Sequence, residues 1–289
     1  MSGGAVSYAG RAKSAQTAER PDLWSGLVGC WLPILGPTDQ TIPEISRRAT
    51  SAIADGVETD DWLVVDGVRC VALNGGHGTS GTQERFDQIQ GLPSTLFSGD
   101  FTISAFVNPD SPSATATIFG RGASDAFLFR IVTTSSRVIV EIDNSQNKFA
   151  SAWTDQEWQT ITARRSGSAV NVWTDGVLNA DTKTDAGDGS STDAASIGTE
   201  ESGKGVGRWV GAIASVAIWD RALPAPQIEA LAADPYVLAR SRLRRAIWLP
   251  SAPGPPSGGS LDYSGGNRVG FGAGRRVLFA GGDRLGYNG

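Results

Sequence analysis

The stretch Phe101-Thr-Ile-Ser-Ala-Phe-Val107 places Phe101, Ile103, Ala105 and Val107 on one face and Thr102, Ser104 and Phe106 on the other. A two-residue period is the signature of a strand, because successive β side chains point to opposite faces of a sheet. Outward from it, Ala126-Phe-Leu-Phe-Arg-Ile-Val132 and Arg137-Val-Ile-Val-Glu-Ile142 read as neighbouring strands separated by a Thr/Ser turn. Trp158-Gln-Thr-Ile-Thr-Ala-Arg164 and Ala169-Val-Asn-Val-Trp173 flank a turn at residues 165–168, and Asp175-Gly176 marks a hairpin because both residues tolerate positive φ. The strand Arg208 to Trp219 follows a long polar loop. Only Pro226 to Ala233 reads as helix, with Pro224 and Pro226 before it and Asp234-Pro235 ending it. Many short strands with one late helix predict an all-β, antiparallel sandwich.

The 289 residues are 40% hydrophobic and 19% charged, enough to bury one large core; length alone allows one or two domains. The 37 glycines and 14 prolines suit a turn-rich β protein better than a helical one. The best apolar stretch, Gly211 to Trp219, is far too short for a membrane helix, so no membrane association is expected. Residues 1–20 lack the apolar segment of a signal peptide, so export by the general secretory route is not expected. Cys30 and Cys70 each lie in an apolar run. Free buried thiols are the expectation, with a bridge between them as the alternative.

Four regions follow from composition: a polar arm at 1–22, a strand-dense body at 23–234, a basic stretch with a Pro/Gly/Ser linker at 235–260, and a Gly/Arg-rich tail at 261–289. Residues 23–234 carry 14 Lys/Arg against 26 Asp/Glu, a net of −12. Residues 235–289 carry eight Arg against Asp262 and Asp283, a net of +6. An acidic body with a basic tail predicts that the tail docks on an acidic surface, such as a neighbouring copy's body; nucleic-acid binding is the rival reading and is not favoured.

Four blocks, in order, resemble the laminin-G-like (concanavalin-A-like) jelly-roll domains. They are Ser25-Gly-Leu-Val-Gly-Cys-Trp-Leu-Pro33; Ser98 to Pro109, with Phe106 where the family usually has tryptophan; Trp158 to Arg165 with Val170 to Val177; and Trp209 to Leu223 with Ile228 and Leu231. The resemblance spans about three quarters of the chain, from Leu23 to Asp234. It implies a jelly-roll sandwich, with one short helix and extended terminal arms here. It also implies a module that binds glycans, proteins or its own kind, in some members through calcium. The chain departs from the family pattern at Ala214, where an acidic residue usually follows the isoleucine.

No catalytic residue is assigned, and the chain is expected not to be an enzyme. A nucleophile–histidine pair would need His77, the sole histidine, which sits in the glycine-rich loop Gly75-Gly-His-Gly-Thr-Ser-Gly81. A zinc site from His77 and the two cysteines has no supporting ligand spacing. Some glycosidases on a similar sandwich place alternating carboxylates on one strand. Here Glu141-Ile-Asp143-Asn-Ser145 ends in serine, and Glu141 and Asp143 are expected to face solvent. Gly198-Thr-Glu-Glu-Ser-Gly-Lys204-Gly205 resembles a phosphate loop but lacks its Ser/Thr, and a strand follows it. No cofactor is assigned. Residues 185–193 and 55–61 carry carboxylates that suit either calcium or solvated turns. Trp31, Trp173 and Trp219 are expected in the core, with Trp62 and Trp153 nearer loops and open to solvent.

The tail repeats. Gly265-Gly-Asn-Arg-Val-Gly-Phe271 recurs as Gly281-Gly-Asp-Arg-Leu-Gly-Tyr287, and Arg268, Arg276 and Arg284 fall eight residues apart. Such a segment buries too little surface to fold alone. It is expected to be either a free tail or strands added to a partner's sheet, with arginines pairing the partner's carboxylates. The candidate assembly contacts are Arg242, Arg244, Arg245, Arg268, Phe271, Arg276, Arg284 and Tyr287. A recognition module without an export signal suggests a bacteriophage virion protein, made in the host cytoplasm and released by lysis. Its expected partners are other copies of itself, a capsid or tail protein, and a cell-surface glycan. A carbohydrate-binding adhesin and a diverged glycosidase are the alternatives.

Overall fold

The computed structural model describes residues 18–35, 41–46, 48–73, 84–110, 115–122, 126–132, 137–150, 153–200 and 207–240, and the tail segments 261–263, 268–269 and 285–286. The chain divides into two compact units, Met1–Ser241 and Arg242–Gly289. The first opens with a one-turn helix, α1 (Pro21–Trp24). Its strands are β1 (Leu27–Trp31), β2 (Thr41–Ile42), β3 (Ala52–Asp55), β4 (Trp62–Val65), β5 (Val68–Leu73) and β6 (Arg85–Ile89). They continue as β7 (Phe101–Pro109), β8 (Thr115–Arg121), β9 (Phe127–Val132), β10 (Arg137–Ile142), β11 (Ser145–Ala150) and β12 (Gln159–Ser166). The last are β13 (Ala169–Thr174), β14 (Val177–Leu178), β15 (Lys183–Thr184), β16 (Ala195–Ile197) and β17 (Gly211–Trp219), before helix α2 (Ala225–Ala233).

Two antiparallel sheets form the sandwich. One has nine strands in the order β14-β13-β12-β7-β17-β5-β4, with β1 also on β17 and β15 also on β13. The other has eight, in the order β11-β10-β9-β8-β16-β6-β3-β2. Strands far apart in sequence thus lie side by side, as a jelly-roll requires. The alternation in β7 decides what the core is made of. Phe101, Ile103, Ala105 and Val107 face inward to meet Phe127, Phe129 and Ile131 of β9 and Val138, Val140 and Ile142 of β10. Phe97 stacks on Phe127 with ring centroids 3.7 Å apart, and Phe101 meets the pair edge-on.

A second apolar layer covers the other face of the nine-stranded sheet. Cys30, Cys70, Trp173, Ala212, Ala217 and Trp219 lie beneath Leu23, Leu223, Ile228, Leu231, Val237 and Leu238. Each large side chain buried this way contributes roughly 1.5–3 kcal/mol, which is what holds α2, Leu23 and Val237–Leu238 against the sheet. Packing extends beyond 23–234 on both sides. Glu19 N donates to Arg240 O at 3.0 Å, and Ala18, Val237, Leu238 and Ala239 are buried. Helix α2 begins at Ala225, one residue before its sequence expectation, and β17 begins at Gly211 rather than Arg208. The Asp175-Gly176 hairpin forms with φ of 49° and 78°. A second hairpin of the same kind, Asp143-Asn144 with φ of 49° and 60°, closes β10 on β11.

In the second unit, β18 (Leu261–Tyr263) lies between β19 (Arg268–Val269) and β20 (Leu285–Gly286) in a three-stranded sheet. Asp262 stands opposite Arg268 on one side and Gly286 on the other. Two residues from each full copy of the repeat, 268–269 and 285–286, therefore pair with Leu261–Tyr263 of their own chain, which lies outside the repeat.

Candidate functional site

Inward-facing phenylalanines on β9 put Leu128 and Arg130 on the outer face of the eight-stranded sheet, and the same alternation puts Ile139 and Glu141 there on β10. Glu141 is not solvent-facing as the sequence suggested; it is 3% exposed and ion-paired with Arg130. The other side of the Arg130 guanidinium meets Glu200 at 2.9 Å. Glu200 reaches it because residues 198–200 cross this face over β8. A side chain at Gly120 would collide with the Thr199 and Glu200 carbonyls, so glycine permits the crossing. Thr117 N, on β8, donates to Gly207 O at 2.8 Å as the segment returns. A second ionic group lies further along the sheet, where Arg85 pairs with Asp55 and with Asp87 at 2.6 Å.

This arrangement bears directly on hydrolysis. Glycosidic cleavage needs one carboxylate free to attack and a second free to protonate. Glu141 is instead engaged by a guanidinium that also serves Glu200. Asp143 sits on the exposed Asp143-Asn144 turn.

The sandwich rim shows a different chemistry. Arg121 donates to the carbonyls of Leu92, Pro93 and Asp193 at 3.1, 2.8 and 3.3 Å. Arg165 donates to the carbonyls of Phe97, Gly187 and Gly167 at 3.0, 2.8 and 3.0 Å. Two side chains thus gather six backbone oxygens and fix the loops at 92–97 and 187–193. Burial lowers the Arg121 pKa, partly offset by Asp193. The Asp185 carboxylate accepts from the amides of Asn147 and, at 2.6 Å, Gly187. Asp188 holds Ser190 through side chain and backbone, which keeps its carboxyl below the ordinary range. In the other acidic loop, Asp61 accepts from Glu58 N at 2.7 Å in a capping box, and its burial raises its pKa. Among the described residues no group of three His, Cys, Asp or Glu side chains is placed to hold a metal ion.

Trp62 and Trp153 are half-buried against the inter-sheet core, not open to solvent, and Trp62 meets Phe86 edge-on. Phe106, at the family's tryptophan position, packs on Trp158 at 4.7 Å. Ala214 is fully buried where β17 bulges against β7, so an acidic side chain there would enter the apolar layer. Both cysteines are free and buried. Burial pushes the Cys70 thiol to about 12 and raises Cys30 as well. Of the tail candidates, Arg268 opens β19; Arg242, Arg244, Arg245, Phe271, Arg276, Arg284 and Tyr287 lie outside the described residues, as does His77.

Sequence reasoning missed Arg130, Arg121 and Arg165. The available signal was a cation within or ending an apolar strand, where a buried charge persists only if partnered.

An antiparallel jelly-roll sandwich with an ionic outer face belongs to a class known for recognition domains and glycan enzymes alike. Residues 84–229, about half the chain, match the family model described as the concanavalin A-like lectin/glucanases superfamily, and the chain belongs to that superfamily. Among solved structures it is similar to a mutant Trypanosoma rangeli sialidase displaying trans-sialidase activity (TM-score 0.53, 14% identity), covering 74% of this chain and 34% of that one. This chain therefore spans about a third of that sialidase's length. It is also similar to domain 4 of the Geobacillus stearothermophilus extracellular arabinanase AbnA, solved with arabinotriose (TM-score 0.52, 17% identity), covering 71% of this chain and 98% of that domain. No curated protein sequence matches the chain.

Proposed function

We propose that this protein is a non-catalytic virion accessory protein. Its superfamily sandwich is the displayed body, and its basic C-terminal unit is the anchor to capsid or tail. The observation that carries the non-catalytic part is the Glu141–Arg130–Glu200 network, which spends the strand's candidate carboxylate on structure. The anchoring part is supported by the charge division between an acidic body and an arginine-rich tail. The test is sedimentation of purified phage particles with quantitative detection of this chain. Many copies per particle are expected; a free protein that never travels with particles overturns the reading. Polysaccharide turnover that disappears in Glu141→Gln would overturn its non-catalytic part.

A second reading, glycan binding by the body, is favoured by one observation. The arabinanase domain it resembles along 98% of that domain's length was solved with a bound oligosaccharide. Saturable binding on a glycan array, with no turnover, supports this reading; a blank array across plant, bacterial and animal glycans counts against it.

A further inference from the structure

Among the described residues the two sheets end on four strands, β2, β4, β11 and β14, with β1 and β15 as further outer strands, and all but β4 are blunted. Edge strands expose unpaired backbone groups, and proteins protect them with charge, brevity or proline. Strand β11 carries Lys148 and has exposed polar residues along its length. Strands β2, β14 and β15 are two residues each, and the outer side of β1 is occupied where Cys30 N donates to the Glu44 carboxylate and Cys30 O accepts from Ile45 N. The fourth edge, β4, is Trp62-Leu-Val-Val65, with no charge and no proline, and Val64 is 63% exposed. Among the described residues β4 pairs with β5 alone.

Its surroundings select the occupant. Residues 55–66 contain Asp55, Glu58, Asp60, Asp61 and Asp66 and no cation; Asp55 is paired with Arg85, and Asp61 is buried in its capping box. Glu58, Asp60 and Asp66 remain exposed around the strand, and Arg69 stands across from Val64. Two β4 strands laid edge to edge would bring like charges together, which is unfavourable. A cationic strand is the complement. The C-terminal unit supplies one: β19 and β20 are the outer strands of its sheet, each beside a repeat arginine, and Arg242–Gly289 holds seven Arg and two Asp.

We infer that β4 is the docking edge for the C-terminal sheet of a second copy, which extends the nine-stranded sheet from one molecule to the next. This rests on the assembly reading above and names the surface that reading lacks. β19 and β20 are two residues each, as short as the edges that brevity blunts, so the Arg–carboxylate contacts carry the affinity and the choice of partner while the short main-chain pairing adds the register. Because edge and tail are different surfaces, the contact is heterologous.

The test is sedimentation velocity of the full chain across protein and salt concentration, with amide exchange read on the same samples. Self-association that weakens as salt rises is expected, with concentration-dependent protection of the Val64 amide, which points to the open edge while Trp62 N donates to Thr59 O. Val64→Lys puts a cation on an exposed position and should weaken association about tenfold or more, as should Arg284→Glu, while both keep the wild-type melting curve. A chain that stays monomeric, or an oligomer whose Val64 amide and Val64→Lys variant are unaffected, overturns the inference. An oligomer weakened by Val64→Lys but not by Arg284→Glu overturns the choice of occupant. Particle sedimentation separates the two levels. Val64→Lys that leaves both particle association and self-association intact removes the edge contact but spares the virion reading. An intact edge contact in a chain absent from particles does the reverse.

Discussion

On the outer face of the nine-stranded sheet the covered side chains are mostly apolar, with uncharged hydroxyls such as Thr102, Ser104 and Thr162 among them, whereas on the outer face of the eight-stranded sheet many of the covered groups are charged. The first face is sealed by α2, Leu223, Val237 and Leu238. The second is crossed by residues 198–200, held down by Glu200 on Arg130. Apolar cover stabilises through area and tolerates shape-conserving exchange. Ionic cover stabilises only while every charge keeps its partner, since desolvating a lone charge costs several kcal/mol. The sandwich therefore has one side fixed by bulk and one fixed by complementarity.

Breaking the apolar side should have the largest effect. Trp219 is fully buried and its indole N–H donates to Leu23 O at 2.6 Å. Trp219→Ala is expected to cost about 3–5 kcal/mol in urea unfolding. On the ionic side, Arg130→Met strips Glu141 and Glu200 of their counter-ion and should cost roughly 3 kcal/mol. Adding Glu141→Gln to that variant should recover part of the loss. If Arg130→Met alone is neutral, the network does not hold that face.

The thiols report on the apolar face. Cys70 has a folded pKa of about 12 against an ordinary 9.0, because burial penalises the thiolate. A raised pKa means the neutral form favours folding: the contribution is complete below pH 9 and is lost as pH climbs towards 12. Native protein should therefore resist thiol reagents near neutral pH and react fully in denaturant, and Cys70→Ala should move the alkaline unfolding midpoint upward. Rapid native labelling would show the layer to be open. The smallest effect is expected from an exposed ion pair. Arg20 and Asp22 meet at 2.8 Å but are 39% and 41% exposed, so Arg20→Ala should change stability by less than about 1 kcal/mol. Its contrast with Arg130→Met measures what burial adds to the same chemistry.

The sandwich was legible because a two-residue period survives in nearly every core strand, and because Asp175-Gly176 announces its own turn. The short helix α1 was not legible: four residues carry no period, and what holds it is distant, with Arg221 reaching the Asp22 and Ser25 carbonyls at 2.8 and 2.7 Å. The ionic face escaped for a related reason. Glu141 looked solvent-facing since polar residues alternate outward, and only the crossing of residues 198–200 over β8 turns that outer face into an interior. Trp62 and Trp153 were misplaced for the same lack of tertiary information. Composition could mark the tail as basic and repeated, but its pairing partner Leu261–Tyr263 lies outside the repeat and carries no copy of it.

The six carbonyls gathered by Arg121 and Arg165 have one more consequence. A loop pinned by a bound ion changes shape when the ion is diluted, exchanged or chelated away. A guanidinium is written into the chain, travels with it through any medium, and cannot be stripped by a chelator. The rim formed by residues 92–97 and 187–193 is thus expected to keep one shape from a calcium-poor compartment to a calcium-rich one.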